Sequence, residues 1–480
     1  MARPAIAPQL PLHRRIRRAV NELAESWPAR FTIMVFSALI LIFTGLLMLP
    51  IASAEGVTTP LVNAFFTAMS AICVTGLTVV DMASHWSAFG NIVIVLGIQI
   101  GGIGVLTVAS LLGLAVSRRL GLKQRLLAAS DTNPMRAHHG PVSESQTVGL
   151  GEIGGLLSAV LFSVLAIESM LTLLIFPRLL MMGEDVLTAL WHSFFFAASA
   201  FTNTGFVPTA DGMTPFETDP YMLTVLGIGV FLGSIGFPVI FALYRFAKVR
   251  GWKRPSRFPL HAKLTLLTTA VLIILGALAI GALEWSNGDT LGEQTIGQRF
   301  LSSMFMSTMT RSGGLATLDV EQMNGSTLLV MDMLMFVGGG SASTAGGIKV
   351  TTLAVLFLAA FAEARGYQDI QAFERRIPTE VLRVAVSVVL WAATIVATSS
   401  IILLHMTKAP LDHVLFDVIS AFGTCGLSTG LTENLPDAGK YVIAATMWAG
   451  RVGTVTLAAA VAASSRSQFF RRPEERPIVG

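Results

Sequence analysis

Four glycines of this 480-residue chain stand in similar short segments, and those segments could hold an ion. The first reads Ala71-Ile72-Cys73-Val74-Thr75-Gly76-Leu77-Thr78 and the second Ala200-Phe201-Thr202-Asn203-Thr204-Gly205-Phe206. The third reads Met309-Thr310-Arg311-Ser312-Gly313-Gly314-Leu315 and the fourth Ala421-Phe422-Gly423-Thr424-Cys425-Gly426-Leu427-Ser428. Their chemistry lies in the backbone. Glycine, with no Cβ, adopts angles that turn successive carbonyls the same way. A ring of such carbonyl oxygens replaces the hydration shell of a cation. The coordinating stretches are predicted to be Val74, Thr75 and Gly76; Asn203, Thr204 and Gly205; Ser312, Gly313 and Gly314; and Thr424, Cys425 and Gly426. The glycines at 76, 205, 314 and 426 are separated by 129, 109 and 112 residues. Repetition at such a period is read before any single motif.

Each loop needs an element to carry it to depth. Short apolar runs precede the loops, at Pro60–Ile72, Val186–Ala200, Gln298–Thr308 and Leu411–Phe422. All are shorter than the roughly 20 residues of a membrane span, which suits re-entrant helices. Such a helix aims its partially negative C-terminus at the loop, which favours a cation. Eight long apolar runs flank them, near Phe31–Leu49, Asn91–Val116, Ile153–Phe176, Tyr221–Leu243, Leu264–Ala282, Thr327–Phe361, Val381–Leu404 and Tyr441–Ala463. The predicted fold is an all-α membrane protein of eight transmembrane helices. Four tandem helix–pore-loop–helix repeats, 31–116, 146–245, 262–361 and 380–463, surround one pore with fourfold pseudosymmetry, between tails 1–30 and 464–480.

Composition agrees. Hydrophobic residues make up 53% of the chain and charged ones 13%, against about 25% charged in soluble domains. This excludes a nucleic-acid binder, a disordered chain and an ordinary cytosolic enzyme. Basic clusters around Arg14–Arg18, Arg118–Arg125, Arg245–Arg257, Arg365–Arg376 and Arg466–Arg472 share one side if the long runs alternate direction. The positive-inside rule makes that side, with both termini, cytoplasmic. Carboxylates such as Asp81, Glu184, Asp219, Asp319, Asp412 and Glu433 then face outward. They either concentrate cations at a pore mouth or merely solvate loops. Cys73 and Cys425 are too few for a disulfide framework, and the histidines show no metal-ligand spacing.

The third repeat's last apolar run is interrupted by Gly338-Gly339-Gly340-Ser341-Ala342-Ser343-Thr344-Ala345-Gly346-Gly347-Ile348-Lys349. Each glycine costs a helix about 1 kcal/mol relative to alanine, so the run reads as irregular backbone that must face protein or water. A phosphate-binding loop is excluded because Ile348 separates Gly347 from Lys349. In the final span stands one arginine, Arg451, a costly residue at membrane depth.

The chain resembles the ion-translocating subunits of the Ktr/Trk/HKT potassium transporters over about Phe31–Ala463. The resemblance rests on the four glycine loops, on Asp81 and Asp319 beyond two of them, on the glycine-rich stretch 338–349 and on Arg451. The first repeat begins close to the N-terminus, which favours the KtrB type over TrkH. The resemblance implies K⁺ as the transported ion, Na⁺ as a candidate activator, a homodimer in the plasma membrane, and a KtrA-like cytosolic ring that binds ATP or ADP. This chain itself would carry no cofactor.

The glycine-rich stretch matches a segment that in KtrB-like proteins is a gate under the filter; the other reading is a helix-packing seam. Arg451 would hold that loop and oppose cations, or pair with Asp332 or Asp417. Lys349 would tether the loop or snorkel to the inner interface. Arg311 is expected to turn from the pore axis, toward an acid such as Asp319. The predicted function is K⁺ uptake, not catalysis. The alternatives are the pore subunit of an ATP-driven potassium pump and a secondary carrier for an organic solute. An intramembrane enzyme is disfavoured because no histidine is placed to activate Ser341, Ser343 or Thr344.

Overall fold

The computed structural model describes residues 28–119, 150–210, 212–248 and 258–453. The two tails, most of the loop after Arg119 and the basic stretch 249–257 lie outside the described residues, as do expectations placed on them. The chain is mainly helical. Helices α1 (Pro28–Leu47), α2 (Leu61–Cys73) and α3 (Ala88–Arg119) come first, then α4 (Leu150–Met181), α5 (Val186–Thr202), α6 (Pro220–Ile235) and α7 (Phe237–Lys248). Helices α8 (Leu260–Glu284), α9 (Ile296–Met309), α10 (Gly325–Phe336) and α11 (Val350–Ala364) come next. Helices α12 (Thr379–Met406), α13 (Leu411–Gly423) and α14 (Asp437–Trp448) close the described part, with a π-helical turn at Ala449–Gly453.

The short helices α2, α5, α9 and α13 form the centre. Phe66, Phe195, Phe196, Phe416 and Phe422 are among the largest fully buried side chains, and all lie on them. The long helices surround this centre and leave apolar residues outward: Phe162 and Leu173 on α4, Leu275 and Leu278 on α8, Leu390 and Ile401 on α12 are all exposed. An apolar surface of that kind suits lipid. Among the described residues, Ser158–Met181, Leu260–Glu284 and Thr379–Met406 are each long and apolar enough to cross a membrane. At the start of α5, the Thr188 hydroxyl, with the Thr188 and Leu187 amides, holds the exposed Asp185 carboxyl below its ordinary range.

Two features differ from the sequence expectation and one follows it. The run Tyr221–Leu243, read as one helix, bends by 103° between α6 and α7. Gly236 at the break has φ 86° and ψ 151°, a region almost closed to residues with a Cβ, and Pro238 comes two residues later with no amide to continue the ladder. As expected, the run Thr327–Phe361 breaks into two helices, α10 and α11, at the glycine-rich stretch. The chain is also not purely α. Strands β1 (Ile370–Ala372) and β2 (Arg375–Ile377) form an antiparallel hairpin between α11 and α12. Phe373 and Glu374 at its tip both have positive φ, as a tight two-residue hairpin turn requires.

Candidate functional site

Three of the four loops share one helix ending. After α2, α5 and α13 the next residue is left-handed: Val74 (φ 57°), Asn203 (φ 61°) and Thr424 (φ 44°). Their amides donate to Ala71, Ala200 and Ala421 at 3.1, 3.2 and 3.2 Å. The amides one residue on, of Thr75, Thr204 and Cys425, donate to Ser70, Ser199 and Ser420 at 2.8, 2.9 and 2.8 Å. This is the paired-bond helix cap that glycine usually supplies. Val74 and Thr424 are β-branched, so each holds a backbone strain of about 1–3 kcal/mol. Loop 3 departs from the pattern. Helix α9 stops at Met309, Thr310 and Arg311 add a turn, and left-handed Ser312 (φ 72°) comes after them. Two residues after each left-handed position comes a glycine with positive φ: Gly76 (90°), Gly205 (85°), Gly314 (71°) and Gly426 (98°).

These four glycines meet. A Cβ placed on Gly76 would overlap the Thr204 carbonyl oxygen, and one on Gly426 the Thr75 oxygen. On Gly205 it would lie 2.6 Å from Gly314 Cα and 3.0 Å from the Gly313 oxygen; on Gly314, 2.5 Å from the Cys425 oxygen. The carbonyls of Thr75, Thr204, Gly313 and Cys425, each preceding one of the glycines, are therefore each brought against a glycine of a neighbouring loop. Four carbonyl oxygens so placed offer a cation a partially negative cage without any formal charge.

Glycines on neighbouring helices let the cage form. A Cβ on Gly101 of α3, Gly233 of α6 or Gly450 of the π-turn would overlap the carbonyl oxygen of Ile72, Phe201 or Phe422, each four residues before a loop glycine. Gly97 and Gly229, one turn earlier, face the Cβ atoms of Ala71 and Ala200 at 3.2 and 3.1 Å. These are small-xxx-small contacts. These glycines were not singled out in the sequence; the four-residue spacing of Gly97 and Gly101, repeated at Gly229 and Gly233, was the available signal.

Asp417 on α13 was also missed, except as a possible partner of Arg451. It is fully buried. Its Oδ1 accepts from the Thr429 amide (2.9 Å) and hydroxyl (3.1 Å), and its Oδ2 from the Ser428 hydroxyl (2.8 Å) and the Thr432 amide (3.0 Å) and hydroxyl (2.6 Å). Five donors fix the chain leaving loop 4. Two of the acids placed outside by the sequence reading have structural duties of the same kind: Asp219 caps α6 and pairs with Arg178 at 2.5 Å, and Asp81 caps the turn Met82–His85.

The stretch 337–349 lies against the loops. Gly340 donates to the Ser234 carbonyl (2.7 Å), Phe237 to Ala342 (3.2 Å) and Val350 to Gly339 (3.0 Å). Ser343 closes a turn on Gly340 (2.6 Å), while the Ser341 hydroxyl meets that of Thr351 at 3.2 Å. The Thr344 hydroxyl donates to the Phe201 carbonyl at 3.1 Å. Gly338 and Gly346 approach so closely that a Cβ on Gly338 would overlap the Gly346 oxygen; Gly347, at φ 66°, packs beside Gly423. Lys349 folds back on the same stretch, its Nζ donating to the Ala345 carbonyl at 2.7 Å.

Both buried arginines serve this stretch. Arg451 donates through Nη1 to the Thr344 carbonyl. Among the described residues it pairs with neither Asp332 nor Asp417, and the Asp417 carboxylate is occupied by loop donors. Arg311 is fully buried and does not reach Asp319. It donates through Nη1 to the Leu334 carbonyl (3.3 Å) and through Nη2 to the Gly338 carbonyl (2.5 Å). Carbonyls at a helix C-terminus lack intrahelical partners; the end of α10 supplies that of Leu334, and Gly338 lies just beyond it. Cys73 and Cys425 are free, buried packing residues.

The sequence matches the family of TrkH cation transport proteins over residues 10–471. It is 36% identical over 453 residues to the Ktr system potassium uptake protein D of Bacillus subtilis (strain 168), covering 94% of this chain and 97% of that protein. It is 32% identical over 462 residues to the Ktr system potassium uptake protein B of Vibrio alginolyticus, covering 96% of each. Identity to the potassium/sodium uptake protein NtpJ of Enterococcus hirae is 30% over 475 residues, covering 98% and 99%. The structure resembles the crystal structure of the potassium transporter TrkH from Vibrio parahaemolyticus with a TM-score of 0.67, over 90% of this chain and 84% of that one. At 17% identity that likeness shows the fold.

Proposed function

Because the chain belongs to the TrkH cation transport proteins, we propose that it carries K⁺ into the cell through the space between its four glycine loops. It is a membrane transport protein, not an enzyme. The observation that carries this reading is the meeting of Gly76, Gly205, Gly314 and Gly426 around the carbonyls of Thr75, Thr204, Gly313 and Cys425. K⁺ sheds water and takes these oxygens in its place, while the C-termini of α2, α5 and α13 add negative potential. One glycine per loop gives few ordered oxygen layers, so Na⁺ is excluded less stringently than in a filter with two glycines per loop.

In this reading the four repeats share one plan. Eight spans arise from α1, α3, α4, the bent pair α6–α7, α8, the broken pair α10–α11, α12, and α14 with its π-turn. Both termini are cytoplasmic by the positive-inside rule. The stretch 338–349 is the gate, closed by its bonds to Arg311, Arg451 and the bend at Gly236. A cytosolic nucleotide-binding ring opens it, the chain forms a homodimer in the cell membrane, and Na⁺ acts as an activator. The relatives named as Ktr system proteins support this assignment, and the burial of the glycine stretch against the loops supports the gate.

The test is growth, at low external K⁺, of a bacterium stripped of its K⁺ uptake systems, together with ⁸⁶Rb⁺ uptake. Wild type should rescue, and Gly314→Ser should shift rescue to higher K⁺. No rescue by well-expressed wild type, even with a cytosolic regulatory partner supplied, rejects the reading.

A further inference from the structure

The left-handed residue of loop 3 joins loop 4 to the stretch 337–349 through one hydroxyl. Val74 presents a methyl group to α3, 2.9 Å from where a Gly101 Cβ would stand. Asn203 turns its amide toward the carbonyls of Ala200, Phe201 and Val230 and meets the Thr344 hydroxyl at 3.3 Å, and Thr424 packs its Oγ1 against Gly346. Ser312 bonds both loop 4 and that stretch through a single hydroxyl. Its hydroxyl donates to the Thr424 carbonyl at 2.5 Å and accepts from the Gly346 amide at 3.3 Å. The first partner belongs to loop 4, the second to the stretch 337–349.

The Thr424–Cys425 peptide is thereby clamped at both ends, its N–H by the Ser420 carbonyl (2.8 Å) and its oxygen by Ser312. The next carbonyl along, that of Cys425, is the one Gly314 faces. An amide donating into a hydroxyl also strengthens the bond that hydroxyl makes onward. Arg311, the adjacent residue, is held by Gly338 of the same stretch. If the stretch withdraws, Ser312 loses its donor and Arg311 loses its shortest acceptor. Both lie in loop 3, and one controls a carbonyl of loop 4.

We infer that Ser312 is a positioning residue that makes the ion preference of the filter depend on the gate. This rests on reading 338–349 as the gate. With the gate closed, loops 3 and 4 are held at the spacing that suits K⁺. With it released, their carbonyls relax, and the smaller Na⁺ is better accommodated.

The experiment is equilibrium binding of ⁸⁶Rb⁺ to the purified full chain in detergent, measuring the Na⁺ concentration that displaces half of it. A hydrogen bond of ordinary strength corresponds to about a two- to tenfold effect. Ser312→Ala should lower the displacing Na⁺ concentration by that factor. Ser312→Thr should restore it, since β-branched Val74 and Thr424 already occupy the equivalent conformation. Arg451→Gln, which frees Thr344, should lower it too, and the double variant should go no lower than the single ones. Fully multiplicative effects, no effect of Ser312→Ala, or no rescue by threonine would each overturn the coupling. Rb⁺ flux in Arg451→Gln proteoliposomes reports on the gate separately: a flux that fails to rise removes the gate, whatever the binding data show about Ser312.

Discussion

Replacing Arg451 by methionine should open the pathway without weakening the protein. Arg451 is 2% exposed, and it holds the Thr344 carbonyl through Nη1. A hydrogen bond to a charged group contributes about 1.5–3 kcal/mol. At about 1.4 kcal/mol per factor of ten, its loss shifts the closed-to-open ratio of the loop by roughly 10- to 150-fold. The same substitution relieves the fold of a buried charge whose Nε and Nη2 have no hydrogen-bond partner among the described residues. Exchanging an incompletely paired buried ion for a well-packed apolar side chain is often neutral or stabilising. The two effects therefore separate. ⁸⁶Rb⁺ uptake by proteoliposomes containing this chain alone should rise at least tenfold, while the melting temperature in detergent holds or increases. Unchanged uptake with a lowered melting temperature would refute the argument and make Arg451 a structural residue.

Gly76→Ala or Gly426→Ala combines left-handed strain of about 1–2 kcal/mol with overlap of a neighbouring loop's carbonyl; the K⁺ concentration for half-maximal uptake should rise about tenfold or more. Gly227→Ala, where a Cβ meets open space, should leave uptake kinetics unchanged. Asp417→Asn weakens or removes two or three of five bonds at about 1 kcal/mol each, so thermal melts should show a loss of about 2–3 kcal/mol. Gly236→Ala places a Cβ 2.6 Å from the Ser341 oxygen at a backbone conformation costing about 1–3 kcal/mol; partner-independent flux should increase, measured as ⁸⁶Rb⁺ uptake.

The four loops were legible in the sequence because their chemistry is backbone chemistry, and glycine is its visible token. The break at 338–349 was legible for the same reason, being too dense in glycine for a helix. The bend at Gly236 was not, because Tyr221–Leu243 is continuously apolar and hydropathy does not register direction. Reading Gly236 with Pro238 as one unit would have found it. Arg311 was misassigned because an acid nearby in sequence, Asp319, looked like the natural partner. Its true acceptors are carbonyls at and just beyond the end of α10, and those exist only in three dimensions. The hairpin β1–β2 has three residues per strand, too short to show an alternating pattern.

The left-handed positions 74, 203, 312 and 424 carry valine, asparagine, serine and threonine. In an assembly of four identical subunits, one codon would set all four walls, and any change would strike the pathway four times over. In the proposed pore each wall has its own codon. A substitution is felt once, so its dose is a quarter of what a symmetric assembly would suffer. That freedom allows one wall to specialise while three keep the common shape, and the wall ending in Gly314 shows the result, with its extra turn, doubled glycine and buried arginine.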